Sequence, residues 1–321
     1  MINRHIIGKE VLTLAVIAAL VMAAVAFFVD TPAVLPADAG LCFPSPDQWK
    51  FPAFFRWLFN TALIGAVAVL LSTLNKEYRL IPGSDTIFLG TFLIMAVSNV
   101  WISGLFTTSS IMAVVNLICM LTLFSCYDRY NSTKDLFVIG TLMSFGSMFQ
   151  YAFIFMAPVY LIGAIIMKCF DIKVLIAYLM GLAAPYWIVL GFGIVSPDAI
   201  HFTRPTHIFA FVSKGDMVVG FLNVGLTVAL GVLLTLSNTF NAYTGNSKKR
   251  ACNAVINLLG IFLLACMIFD FENLVVYLSS AYFITAFQLG KLFETGNLRR
   301  PEFWLLGITA VYLILYILML I

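Results

Sequence analysis

Eight side chains in this sequence combine the chemistry of proton transfer with that of anion binding. Three are carboxylates, Asp30, Asp38 and Asp47, spread singly through the polar stretch 30–53. A carboxylate so placed can act as a general base and take the proton of an attacking hydroxyl. The other five, Arg56, His201, Arg204, His207 and Lys214, are cationic or can become so. Arginine presents a planar fork of donors suited to phosphate oxygens, and histidine gains charge near neutral pH. Arg204 stands between His201 and His207. Those two would lie on different faces of a helix, so their convergence needs a turn, which Pro205 can supply. Asp198, Asp216, Asp270 and Glu272 add further carboxylates at the ends of apolar runs. The chemistry expected of the set is deprotonation of an acceptor hydroxyl by one of the three aspartates, while Arg204, His201 or His207 balances a departing phosphate. Read blandly, the same residues are solvated loops that carry charge, with Arg204 anchoring its loop to anionic headgroups.

The elements that must position these residues are membrane spans. Of 321 residues, 62% are hydrophobic and 10% charged. A soluble domain carries about 25% charged residues, and its surface-to-volume ratio leaves no way to hide so much apolar surface. Apolar runs fall at 11–29, 54–74, 86–102, 109–126, 135–149, 150–167, 173–195, 217–236, 251–269, 274–293 and 303–320. The expected fold is therefore all-α: a single polytopic transmembrane helix bundle of about eleven spans over residues 1–321. Lys and Arg collect on the cytoplasmic side of bacterial membranes. Placing the N-terminus inside puts fourteen of the eighteen basic residues on inner loops, and leaves Lys50, Arg56, Arg204 and Lys214 outside. The alternation survives only if 135–167 is split near Phe149 and Gln150, and it brings the C-terminus out. The expected location is the bacterial inner membrane.

The first apolar run is longer than the core of a secretory signal, and Ala37-Asp38-Ala39 lies far beyond it, so it reads as an anchor. The stretch from Trp49 through Phe51, Phe54, Phe55 and Trp57, with Lys50 and Arg56, reads as lying at the membrane interface. No Asp, Glu, Lys, Arg or His falls near the middle of a predicted span, which argues against ion-coupled transport. Asn60, Asn99, Asn116, Gln150, Asn223, Asn253, Asn257 and Gln288 do fall within spans and read as interhelical hydrogen-bonding groups, with a substrate path as the alternative. Pro158 and Pro185 are expected to kink their helices. Cys42, Cys119, Cys126, Cys169, Cys252 and Cys266 have no metal-binding spacing, and only Cys42 is placed outside, so they read as packing residues without a disulfide. Asn131-Ser132-Thr133 has the spacing of a glycosylation acceptor but lies on the predicted inner side. No cofactor is specified. No basic stripe with interleaved aromatics points to nucleic acid. The expected partners are membrane lipid, a lipid-linked sugar, and proteins within the membrane.

Arg56-Trp57-Leu58-Phe59-Asn60, the run from Gly140 to Gln150, and Gly181-Leu-Ala-Ala-Pro185-Tyr186 resemble an uncharacterised family of bacterial multi-pass inner-membrane proteins. The layout is similar, more distantly, to GT-C type polyprenyl-phosphate-dependent membrane glycosyltransferases. That resemblance implies a catalytic Asp and an interfacial helix in the first external loop, and a lipid-linked sugar as substrate. The chain departs from the pattern in having no adjacent acidic pair in that loop and no large external C-terminal domain. The alternatives to a glycosyl transferase are a lipid or small-molecule transporter or flippase, and a non-catalytic subunit of an envelope complex.

Overall fold

The computed structural model describes residues 2–28, 39–81, 85–104, 106–200, 202, 212, 214–240, 246–294 and 301–320. Among these there is no strand. The helices are α1 (Ile2–Phe28), α2 (Ala53–Tyr78), α3 (Thr86–Ser98), α4 (Val100–Ser103), α5 (Thr108–Ser125) and α6 (Thr133–Phe149), followed by α7 (Ala152–Ile166), α8 (Ile172–Gly191), α9 (Lys214–Phe240), α10 (Ser247–Phe269), α11 (Leu274–Glu294) and α12 (Pro301–Leu320). Five stretches, Ala53–Tyr78, Thr108–Ser125, Ile172–Gly191, Lys214–Asn238 and Ser247–Phe269, are long and apolar enough to cross a membrane. Their side chains divide between a buried core and a broadly apolar exterior that includes Leu58, Ile176, Met180, Trp187 and Ile261. An exterior of that kind suits lipid and not water.

The apolar runs of the sequence fall on these helices, with two interruptions. One is at Gln150, whose extended backbone (φ −158°, ψ 113°) separates α6 from α7. The other is at Asn99 (φ −95°, ψ 109°), which stops α3 inside an otherwise continuous apolar run. Its side-chain oxygen accepts the Trp101 amide at 3.0 Å and so caps the single turn of α4. A short amide side chain competes with the helix ladder in this way.

Small residues set the closest helix contacts. A Cβ at Gly140 of α6 would lie 2.6 Å from the Tyr178 carbonyl oxygen, and one at Gly181 of α8 would lie 2.3 Å from the Phe137 carbonyl oxygen. Only glycine at both positions lets these two backbones touch. Along the same seam the Ser144 hydroxyl donates to the Leu182 carbonyl, and the Ser147 and Tyr186 hydroxyls share a bond of 2.7 Å. The glycine-rich segments quoted above for their family resemblance are thus two sides of one contact. On α1, Ala15, Ala19 and Ala23 are buried, and Gly90 of α3 lies beside Ala15.

Buried polar side chains link helices far apart in sequence. Asn99 donates to the Tyr282 hydroxyl at 3.1 Å, Tyr282 donates to Asn223 at 2.8 Å, and Asn223 donates to Ser98 at 3.2 Å. Thr227 and Tyr312 share a bond of 2.7 Å. Asn116 accepts from Tyr160 at 2.8 Å and donates to Ser280 at 3.0 Å. In a lipid surround such bonds contribute about 0.6 kcal/mol each, so the chain acts as distributed glue. At one end of the bundle Arg79, in a left-handed conformation (φ 47°), terminates α2. The following turn is held by Asn75, which donates to Asp85 at 2.7 Å and accepts the Ile81 amide at 2.7 Å. The opposite end, which we call the upper end, gathers residues 39–52, 99–104, 106–108, 148–152 and 270–274.

Candidate functional site

The upper end is organised around the gap between α6 and α7. At that gap the last carbonyls of α6 lack partners further along the helix. The Cys42 and Phe43 amides each donate to the Met148 carbonyl at 3.0 Å, and the Tyr151 amide donates to the Ala39 carbonyl at 2.9 Å. The first polar stretch is thereby stitched into the break. Aromatic rings extend the joint: Phe43 stacks on Phe149 at 5.2 Å, and Trp49 meets Phe149 at 6.0 Å and Phe106 at 6.1 Å.

This docking carries Asp47 to the start of α5. A turn of 3-10 helix, Pro46–Gln48, presents its carboxylate, and Oδ1 accepts the Thr108 amide at 2.7 Å. Ser45, fully buried, shares a 3.3 Å bond with the Thr108 hydroxyl. Asp47 keeps part of its surface at the rim, yet its carboxylate is packed among protein atoms. That loss of water outweighs the hydrogen bonds from Thr108 and Ser45, and raises its pKa from 3.8 to about 6. A carboxylate poised near neutrality is suited to proton transfer.

A second carboxylate lies at the same end. Asp270, 4% exposed, follows α10. It accepts the Tyr151 hydroxyl at 2.8 Å, the Tyr277 hydroxyl at 3.0 Å and the Asn273 amide at 3.1 Å. Gln150 reaches Asn273 at 3.3 Å, and the Phe202 ring packs on Tyr151 at 4.5 Å. Three donors on one buried carboxylate make a clamp between α7, α10 and α11. Sequence reasoning missed this cluster. Asp270 stood out only as a charge at the end of a span, and the two tyrosines carry no spacing that would join them to it.

Of the three aspartates expected to be catalytic, Asp47 lies within the described residues, whereas Asp30 and Asp38 lie outside them. Of the expected anion-binding residues, His201, Arg204 and His207 lie outside the described residues, and Lys214 is exposed at the start of α9. Arg56 is half-buried on the first turns of α2. The structure brings Arg56 and Asp47 to the same end of α5 without pairing them, since they form no ion pair. The interfacial helix implied by the family layout does not precede α2 among the described residues. There the chain is extended from Trp49 to Pro52, and Trp57 donates its ring N–H to the Ala23 carbonyl of α1 at 2.8 Å. All six cysteines are free thiols. Among the described residues no three His, Cys, Asp or Glu side chains converge on a point that could hold a metal. Compared with known proteins, the chain matches no family, no curated protein and no solved structure.

Proposed function

We propose that this chain is an eleven-span protein of the bacterial inner membrane, N-terminus inside and C-terminus outside, whose upper end faces outward and acts on a lipid-linked polyprenyl-phosphate substrate. The observation that carries this reading is Asp47. It is the candidate base of the first polar stretch, it is fixed by the Thr108 amide, and burial raises its pKa to about 6. In the transfer proposed, Asp47 takes the proton of an acceptor hydroxyl. The acceptor oxygen bonds to the anomeric carbon of the sugar. The bond from that carbon to the phosphate oxygen breaks, and the polyprenyl phosphate leaves with the electron pair.

Two measurements test this. Topology is read by introducing Asp198→Cys or Ser247→Cys after Cys42→Ser and labelling intact spheroplasts with an impermeant thiol reagent. Position 198 should label and 247 should not; equal labelling sinks the eleven-span arrangement. Activity is read in nanodiscs from release of polyprenyl phosphate out of a panel of polyprenyl-phosphate-linked hexoses. Below about pH 6 Asp47 is protonated and cannot accept a proton, so the wild-type rate should climb through that pH and then level off. Asp47→Asn should abolish it. Absence of release by the wild type from every hexose, or an Asp47→Asn rate equal to wild type, overturns the catalytic reading.

One observation favours lipid transport instead, the interruption of α3 at Asn99 within the buried polar chain. Between α9, α10 and α11, where Thr227, Thr235, Thr285 and Gln288 meet, a void of about 10 Å³ has room for about one water.

A further inference from the structure

We propose that the corner between α2, α4 and α5 binds a phosphate group, held by Arg56, Ser103, Thr107 and the first turn of α5. The inference rests on the reading of the upper end as the place where a phosphate-linked lipid is handled. It is carried by a set of polar groups left without partners.

Asn60 defines the corner. Its side-chain amide donates to the Ile102 carbonyl of α4, and its oxygen accepts the Ser110 hydroxyl of α5 at 2.8 Å. Asn60 therefore fixes how three elements meet. One step toward the rim on each of the three comes a polar group with no hydrogen-bond partner. On α2 it is Arg56, one turn before Asn60 on the same face, with its Nε buried and unpaired. On α4 it is Ser103, next to Ile102, whose hydroxyl is unpaired with the residue only 1% exposed. On α5 it is Thr107, one turn before Ser110, unpaired and 9% exposed.

A buried hydroxyl or guanidinium nitrogen without a partner costs about 1–3 kcal/mol, so three at one corner are not an incidental feature of packing. What they lack is an acceptor. A hydroxyl can find one in many groups, but Arg56 Nε can only donate. The corner also sits at the start of α5, where amides point outward and favour negative charge. An oxyanion with several acceptor oxygens satisfies all three side chains at once, and a phosphate matches the arginine fork. Arg56 is half-buried, so it is the member of the set that reaches the surface. Asp47 already takes the Thr108 amide at the start of α5, which leaves the three side chains and the following amides of that turn to the phosphate. A proton acceptor and a phosphate would thus be neighbours without overlapping.

The test is binding, which needs no turnover and so stands apart from the activity assay. Purified full-length protein in nanodiscs is offered polyprenyl phosphate, phosphatidylglycerol or inorganic phosphate. Retention is followed by native mass spectrometry and melting temperature by tryptophan fluorescence. Wild type should retain polyprenyl phosphate. Arg56→Met should weaken retention by about tenfold or more, because a charge-assisted bidentate contact is lost. Arg56→Lys, which keeps the charge and the fold but not the fork, should fall between them. Ser103→Ala with Thr107→Val should weaken retention while keeping the arginine. Stabilisation by inorganic phosphate to the same extent as by the lipid supports the oxyanion corner and assigns it to free phosphate. Phosphatidylglycerol retained as well as polyprenyl phosphate supports it and assigns it to common headgroups. Equal retention of all three probes by wild type, Arg56→Lys and the Ser103/Thr107 double variant overturns the inference. A wild type that binds while the activity assay fails leaves the corner standing and removes only the catalytic reading.

Discussion

The seam between α6 and α8 and the corner between α2, α4 and α5 are built from the same kinds of residue and end in opposite states. Both place serine hydroxyls and small side chains where helices cross. At the seam every hydroxyl named above has a partner: Ser144 donates to Leu182, and Ser147 and Tyr186 bond each other. At the corner Ser103 and Thr107 have none. Backbone approach makes the difference. Gly140 and Gly181 let α6 and α8 come close enough for a serine to reach the facing carbonyl. At the corner the helices are interrupted between Ser103 and Thr107, and Asn60 takes the Ile102 carbonyl. Polar groups that close on one another hold a fold together, and polar groups held open are available to a ligand.

The largest expected effect comes from forcing the seam apart. Gly181→Val adds atoms where even a Cβ would stand 2.3 Å from the Phe137 carbonyl oxygen, and backbone cannot yield as a side-chain tip can. The bundle should lose about 3 kcal/mol or more, the upper part of the overpacking range, read as a lower melting temperature in detergent. A Gly181→Val protein as stable as wild type would mean that the two helices do not touch there. A smaller and sharper contrast comes from deleting one hydroxyl on each side of the comparison. Ser103→Ala removes an unpaired buried group and should raise ligand-free stability by about 1 kcal/mol. Ser144→Ala removes a satisfied one and should lower stability by about 0.6 kcal/mol. The opposite signs are the point. Two losses of equal size would show that Ser103 is paired in the membrane and would remove the asymmetry.

These contrasts also mark what the sequence could and could not tell. The helical class and the division of 135–167 at Gln150 were legible, because membrane insertion writes hydropathy and loop charge directly into the chain. The interruption at Asn99 was not. Residues 86–102 read as one apolar run, and the break is decided by a single side chain capping α4 and reaching Tyr282. Asp47 stood out as a candidate base by type and location. The burial that raises its pKa against the hydrogen bonds from Thr108 did not, because it arises only once the first stretch docks on Thr108, sixty-one positions away. The Asp270 clamp was hidden for the same reason, since Tyr151 lies 119 positions from its acceptor. Hydropathy reports which residues leave water and says nothing of which of them then meet.

The stitching of residues 39–43 into the α6–α7 break sets an order of events during synthesis. The amides of Cys42 and Phe43 bond to the Met148 carbonyl, a group that leaves the ribosome about a hundred residues later, on the order of ten seconds at ordinary elongation rates. Through that interval α2 to α5 are already made, while the acceptor for the Cys42 and Phe43 amides does not yet exist. The segment cannot make these bonds until the chain has been made through Met148, and the Ala39 carbonyl waits for the Tyr151 amide. This joint of the upper end is therefore among the later contacts of the first loop to form. A chain stalled before Met148 can be all helix and still have no seat for its first loop.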